Sequence, residues 1–182
     1  KTMIRYRFFS DPIADGHDAI FGLEQPLMRL VGVLKSAALG FGTEKRVILL
    51  HGPVGSSKST IARMIKKGLE HYTRTDAGAL YTFQWRVDEK DEWEDSPMHE
   101  EPLKLIPPDV RQEFIDKLLE GKDLRYPVVV KGDLDPASRF YFSQLMERYK
   151  GDWWSLLENH VRVRRMVLSE QDRVGIGTFQ PK

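Results

Sequence analysis

Arg46-Val47-Ile48-Leu49-Leu50-His51-Gly52-Pro53-Val54-Gly55-Ser56-Ser57-Lys58-Ser59-Thr60-Ile61 is the stretch on which the fold turns. Its opening, residues 46–51, is a short and nearly continuous apolar run. That pattern is expected of a central strand in a parallel sheet covered on both faces. A glycine, proline and serine loop follows at once. Beyond it Ile61, Ala62, Met64, Ile65 and Leu69 recur at helical spacing to about Glu70. Arg63, Lys66, Lys67 and His71 fall toward the C-terminal half of that helix, where the dipole favours cations. The expected order is strand, loop, helix.

The loop matches G-x-x-x-x-G-K-[ST] from Gly52 to Ser59 except at Ser57, which stands where the last glycine belongs. Such a loop needs small residues, so that successive backbone N–H groups can turn inward around a β-phosphate, and serine is the next smallest choice. Lys58 would bridge β- and γ-phosphate oxygens, the helix N-terminus would add its partial positive charge, and Ser59 would give its hydroxyl to Mg²⁺. Serines before a helix are also ordinary N-caps. The flanking strand and amphipathic helix are the context the phosphate loop requires, and they favour that reading. The candidate nucleotide ligands are therefore Gly52, Pro53, Val54, Gly55, Ser56, Ser57, Lys58 and Ser59, with Lys58 also the catalytic group. Upstream, Ile20-Phe21-Gly22 opens a helix and offers an apolar side chain and a flexible glycine near where an adenine could rest. Taken alone, the same three residues also fit a hydrophobic staple.

At 182 residues the chain can bury one substantial core, and one domain is the expectation. Lys and Arg number 28 against 27 Asp and Glu, so the net charge of +1 provides no bulk field for nucleic acid or an anionic membrane. Neither is an expected partner. No apolar run approaches the roughly 20 residues of a membrane span, and Lys1-Thr2-Met3-Ile4-Arg5 is too polar for a secretory signal. The absence of cysteine excludes disulfides, thiolate zinc sites and thiol catalysis. These features suit a cytoplasmic protein, and a start without methionine suggests a piece of a longer one.

Outward from the loop, Leu23, Leu27, Leu30, Val31, Leu34, Ala38 and Leu39 give helical periodicity across 22–40, and residues 79–87 read as a second strand. Residues 88–101 carry Asp88, Glu89, Asp91, Glu92, Glu94, Asp95, Glu100 and Glu101 and lead into Pro107-Pro108, the pattern of an exposed insertion. Helices are expected over 110–120, 137–149 and 153–158, and strands over 126–131 and 161–168. There is no internal repeat. The expected fold is α/β, a parallel sheet flanked by helices, divided into a linker and helix (1–45), a core (46–87), an acidic and proline-rich insertion (88–135), and helices with a basic strand (136–182).

The run from Ile20-Phe21-Gly22 through Gly52-Pro53-Val54-Gly55-Ser56-Ser57-Lys58-Ser59-Thr60 resembles the AAA+ ATPases, and within them the bacterial PrkA-type serine protein kinases. Asp76-Ala77-Gly78-Ala79-Leu80-Tyr81, His99-Glu100-Glu101-Pro102-Leu103, Lys131-Gly132-Asp133-Leu134, and Arg162-Val163-Arg164-Arg165 onward look like the same family. The resemblance covers nearly the whole chain. It implies an ATP- and Mg²⁺-binding AAA+ module, a binding set extended to Thr60, a protein substrate or partner, and homo-oligomeric rings. Kinase activity comes with the family label alone, because the Gly-rich loop, strand lysine and H-R-D loop of eukaryotic-type kinases are missing. A small-molecule kinase closing arginines over the phosphates, or a nucleotide-gated scaffold without catalysis, would use the same loop.

No apolar run ends in Asp-Glu. In Val128-Val129-Val130-Lys131-Gly132-Asp133 the carboxylate follows a Lys-Gly step, which fits a turn better than a water-activating strand end. The resemblance places the Walker B, sensor and arginine-finger segments beyond Lys182. It also implies that Ser96-Pro97-Met98-His99 and Asp135-Pro136-Ala137-Ser138 occupy positions where relatives can carry zinc-binding cysteines. Serine is a poor zinc ligand, so here they read as a metal-free pair of turns. Arg162, Arg164 and Arg165, with His160 and Arg173, form the densest basic patch, and alternation with Val161 and Val163 fits a half-solvated strand. Trp153-Trp154 and Tyr141-Phe142 lie at helical spacing beside Leu145, Met146, Leu156 and Leu157, as core residues do.

Overall fold

A computed structural model describes residues 3–87, 92–124 and 126–179. The chain divides into two compact units, Lys1–His71 with Leu124–Pro127, and Tyr72–Asp123 with Val128–Lys182.

The first unit is built on two helices, α1 (Glu24–Ala38) and α2 (Lys58–Thr73). The apolar stripe of α1 buries Leu27 and Leu30 against Ile61 and Met64 of α2, and Phe9 and Ile20 complete that core. Burying one such aliphatic or aromatic side chain contributes about 1.5–3 kcal/mol, so this cluster is the unit's main cohesive element. Leu50 packs at its edge.

Residues 47–50 form no strand among the described residues. Val47 is 95% and Leu49 84% exposed, so this expected central strand of a parallel sheet stands without sheet neighbours. A strand exists only through pairing of its backbone N–H and C=O groups. The strands that do form pair with one another in the second unit.

That second unit carries β1 (Leu80–Val87), β2 (Glu92–Asp95) and β3 (Val161–Met166), in the order β2-β1-β3. Both pairings are antiparallel, with Trp85 opposite Glu94 on one side and Val161 on the other. Three helices, α3 (Pro108–Leu119), α4 (Pro136–Arg148) and α5 (Trp153–His160), supply the rest. Phe83, Trp85, Leu105, Leu134, Leu145 and Leu156 form its core, with Tyr141 and Phe142 packed against it. The rings of Trp85 and Tyr141 meet edge to face at 5.2 Å, so Tyr141 is part of this core. Trp153 is tied down by an Nε1 bond to the Leu105 carbonyl at 3.0 Å, whereas Trp154 is 62% exposed.

Two expectations change here. Part of the acidic stretch is structural: β2 pairs with β1, and Ser96 and Glu100 are buried, whereas Asp88, Glu89 and Asp91 lie outside the described residues. The expected strand over 126–131 is absent among the described residues, because α3 side chains take its backbone acceptors. Gln112 Nε2 donates to the Val128 carbonyl at 3.3 Å, and Arg111 donates to those of Val130 and Gly132 at 3.3 and 2.7 Å. Arg111, only 2% exposed, also bonds the carbonyls of Ile106 and Lys104. A buried guanidinium spends its fixed fork of donors on four carbonyls where a neighbouring strand would have used backbone N–H groups.

Candidate functional site

The loop between residue 51 and α2 closes on itself. Ser56 donates through its backbone N–H and its hydroxyl to the Pro53 carbonyl, at 3.3 and 2.8 Å. A Cβ placed on Gly52 would lie 2.9 Å from Ser56 Oγ, so only glycine fits there without displacing that serine. Gly55 and Ser57 both take left-handed backbone, at φ +82° and +58°. The last motif glycine belongs at Ser57, and serine holds the same backbone there at the steric cost of its Cβ. The Ser57 carbonyl then accepts the Ile61 N–H at 2.9 Å, the first turn of α2.

Lys58 is the first residue of α2, and its ammonium turns back over the loop. Nζ donates to the carbonyls of Gly52 and Pro53, at 2.8 and 2.5 Å, and to Ser56 Oγ at 3.0 Å. The site thus brings together one fixed cation and the N-terminal N–H groups of a 16-residue helix, which have no intrahelical partners. Both favour an anion at the same place. Ser59 and Thr60 occupy the first turn, Ser59 exposed, and Val54 at the loop tip is fully exposed.

Beside the loop lies a cavity of about 510 Å³. Gly52, Pro53, Ser56 and Lys58 line one side, Leu23, Pro26, Arg29, Leu30 and Val33 of α1 and its start another, and Ile48, Leu49 and Leu50 a third. Its size falls within the range of small-ligand sites, and its wall joins apolar surface to a few polar groups, as such sites require. Ile20, Phe21 and Gly22 do not line it. Ile20 is buried in the core, Phe21 is 70% exposed beneath the Arg5 guanidinium at 5.2 Å, and Gly22 takes φ +74°. Sequence reasoning missed the α1 wall. Periodicity showed that 22–40 has an apolar face, but not that the start of that face borders the loop.

A second cluster supports the same region. The Asp18 carboxylate, 5% exposed, accepts from Arg63 Nη2 and Nε at 2.6 and 2.9 Å and from Lys67 Nζ at 3.0 Å. These hydrogen bonds, Arg63 first, hold its pKa well below the usual carboxylate range despite burial. Asp18 raises the Arg63 pKa in turn. The Asp18 backbone N–H donates to Asp11 Oδ2 at 2.8 Å.

The full length of this chain, residues 1–182, matches the family model described as the PrkA AAA domain. The chain belongs to that family. The chain is also 40% identical over 163 residues to the ATP-dependent protease PrkA of Bacillus subtilis (strain 168). That match covers 89% of this chain and 22% of the relative, so the chain spans about a fifth of that protein's length. No solved structure matches. AAA membership implies a nucleotide-binding module, here one of helices and a small antiparallel sheet.

The remaining candidates of this PrkA AAA domain lie in the second unit and are engaged internally. Arg162 bonds Gln84 Oε1 at 2.6 Å and sits 4.7 Å from the Trp93 ring. Arg164 pairs with Asp95 at 2.7 Å, and Arg165 with Asp76 at 3.1 Å and with the carbonyls of Thr73, Arg74 and Thr75 in the same unit. Asp133 is exposed and follows Gly132 at φ +81°, a turn. Asp135 caps α4 through Oδ1, accepting from the N–H groups of Ala137 and Ser138 at 2.9 and 3.1 Å. Burial pushes its pKa up, but the hydrogen bonds led by Ser138 bring it below the usual value. No metal-binding group of three or more His, Cys, Asp or Glu occurs among the described residues, and no helix there is long and apolar enough to cross a membrane.

Proposed function

We propose that this domain binds ATP with Mg²⁺ at residues 52–60 and couples nucleotide binding or hydrolysis to a conformational change in the protein that carries it. The observation that supports the reading best is the Lys58 ammonium, held by three bonds over a loop in which a Cβ on Gly52 would displace the Ser56 hydroxyl. ATP would exchange those acceptors for phosphate oxygens, with Lys58 neutralising β/γ charge and Ser59 offering its hydroxyl to Mg²⁺, which would supply further charge neutralisation there. The base and ribose fit the adjoining cavity against Leu23, Pro26 and Leu30. Among the described residues that line the cavity, Arg29, Lys58 and the Ser56 hydroxyl are groups suited to binding and stabilising phosphate charge.

Isothermal titration of Mg·ATP into the full chain tests the reading, with Lys58→Ala as the control. Losing charge-assisted hydrogen bonds worth about 1.5–3 kcal/mol should weaken binding by roughly tenfold to a hundredfold. Unchanged affinity would remove the phosphate loop from consideration. The exposed apolar residues Val47 and Leu49 support a parallel sheet completed around residues 47–50 in the whole protein, and AAA membership supports a homo-oligomeric ring. The relative's name points to ATP-driven proteolysis, whereas the resemblance drawn from the motifs points to protein phosphorylation. γ-Labelled ATP separates them: label released as phosphate marks an ATPase, and label on a protein serine marks a kinase.

A further inference from the structure

Asp18 does work that stability alone does not call for. A buried carboxylate between cations gives up hydration that its attractions repay only in part, and such groups are weak evidence of stabilisation. Their partners here, Arg63 and Lys67, are 48% and 40% exposed and could be solvated without Asp18. What the arrangement fixes is position. Arg63 and Lys67 stand one turn apart on one face of α2, about 7.5 and 13.5 Å along the axis from Lys58 at 1.5 Å per residue. Asp18 is fastened from both ends, its carboxylate to α2 and its N–H to Asp11 Oδ2 at 2.8 Å. Two residues on, the Ile20 N–H donates to the Phe9 carbonyl at 2.9 Å, while its side chain packs with Ile61 and Met64 of α2. After this anchorage come only Phe21, Gly22 and Leu23 before α1 begins at Glu24, and Leu23 already lines the cavity beside the loop.

We propose that Asp18 is a positioning residue for the nucleotide site: its ion pairs with Arg63 and Lys67 gauge the start of α1 against α2, and so set the distance between the Leu23, Pro26 and Leu30 wall and the phosphate loop. The proposal rests on the reading that residues 52–60 bind ATP. It assigns the phosphates to Lys58 and the loop, and the fit of the nucleoside to a wall that Asp18 holds in register.

The two parts of the ligand separate in one titration. Mg·ATP and inorganic tripolyphosphate with Mg²⁺ are each titrated into the full chain and into Asp18→Asn and Arg63→Gln; the second variant keeps Lys67 as a partner for the buried carboxylate. Both variants are expected to lose about fivefold to tenfold in ATP affinity while tripolyphosphate affinity stays within about twofold, the scale on which residues sharing one ion-pair network couple. Equal losses for the two ligands, or no loss for ATP, overturn the proposal. So do equal gains, which would make Asp18 a mere opposing charge, and a variant that loses its cooperative thermal transition, which would assign Asp18 to stability alone. Wild-type protein that binds neither ligand refutes the underlying ATP reading instead, and that outcome is distinct from all the others.

Discussion

Ser57→Gly offers a sharp test of how the loop is built. Ser57 holds φ +58°, where the Cβ of an L-residue crowds the following carbonyl at a cost of about 1–2 kcal/mol. Glycine removes that crowding but brings a more flexible unfolded chain, which costs about 0.5–1 kcal/mol. The difference is a stabilisation of about 0–1.5 kcal/mol, centred at roughly 0.75 kcal/mol. The Ser57 carbonyl that accepts the Ile61 N–H at 2.9 Å is backbone and survives the change, so the gain should appear where α2 begins. Tryptophan fluorescence is the wrong probe, because Trp85, Trp93, Trp153 and Trp154 all lie in the second unit. Amide hydrogen exchange at Ile61 reports on the loop directly, and exchange there should slow by roughly twofold to fivefold, since 1.4 kcal/mol corresponds to tenfold. A β-branched Ser57→Val should shift it the other way, because stiff branched side chains tolerate left-handed backbone poorly. If glycine speeds exchange at Ile61 or valine slows it, the left-handed account of Ser57 is wrong.

The second unit and the ion-pair cluster give two more expectations. Arg111→Met should remove the buried donors of four part-buried carbonyls and destabilise that unit by about 1–3 kcal/mol, read as a lower urea midpoint of tryptophan fluorescence with unchanged slope. Asp18 has a depressed pKa, so its contribution is fully present above the unfolded carboxylate value of about 3.9 and is lost as pH falls through the lower folded value. Helix content followed by circular dichroism from pH 5 downward should show an acid transition in the wild type, with less pH dependence in Asp18→Asn.

Local rules made much of this chain legible. The 3.6-residue period placed α1 and α2, and the β-branched and aromatic run at 79–87 placed β1, because both signals depend on neighbours a few residues away. The tight turn from Gly52 to Lys58 was legible because left-handed backbone and close approach restrict residue type within a single loop. Residues 126–131 were not. Their valines carry strand propensity, but the buried Arg111 of α3 claims the carbonyls, and no short window contains both partners. The acidic stretch was legible only in part: Glu92, Glu94 and Asp95 keep the exposure their charge predicts, but their backbone pairs with β1, and Ser96 and Glu100 beyond them are buried.

The sequence by itself determined the helices, set by spacing along the chain, and its motifs carried the resemblance to the family that the full-length match shows. The tertiary structure alone decided that the sheet is antiparallel, that the first turns of α1 wall the cavity beside Lys58, and that Asp18 is sealed between Arg63 and Lys67. Those features join residues up to 86 positions apart, as the paired Leu80 and Met166 of β1 and β3 are, and only the folded backbone brings such partners within reach.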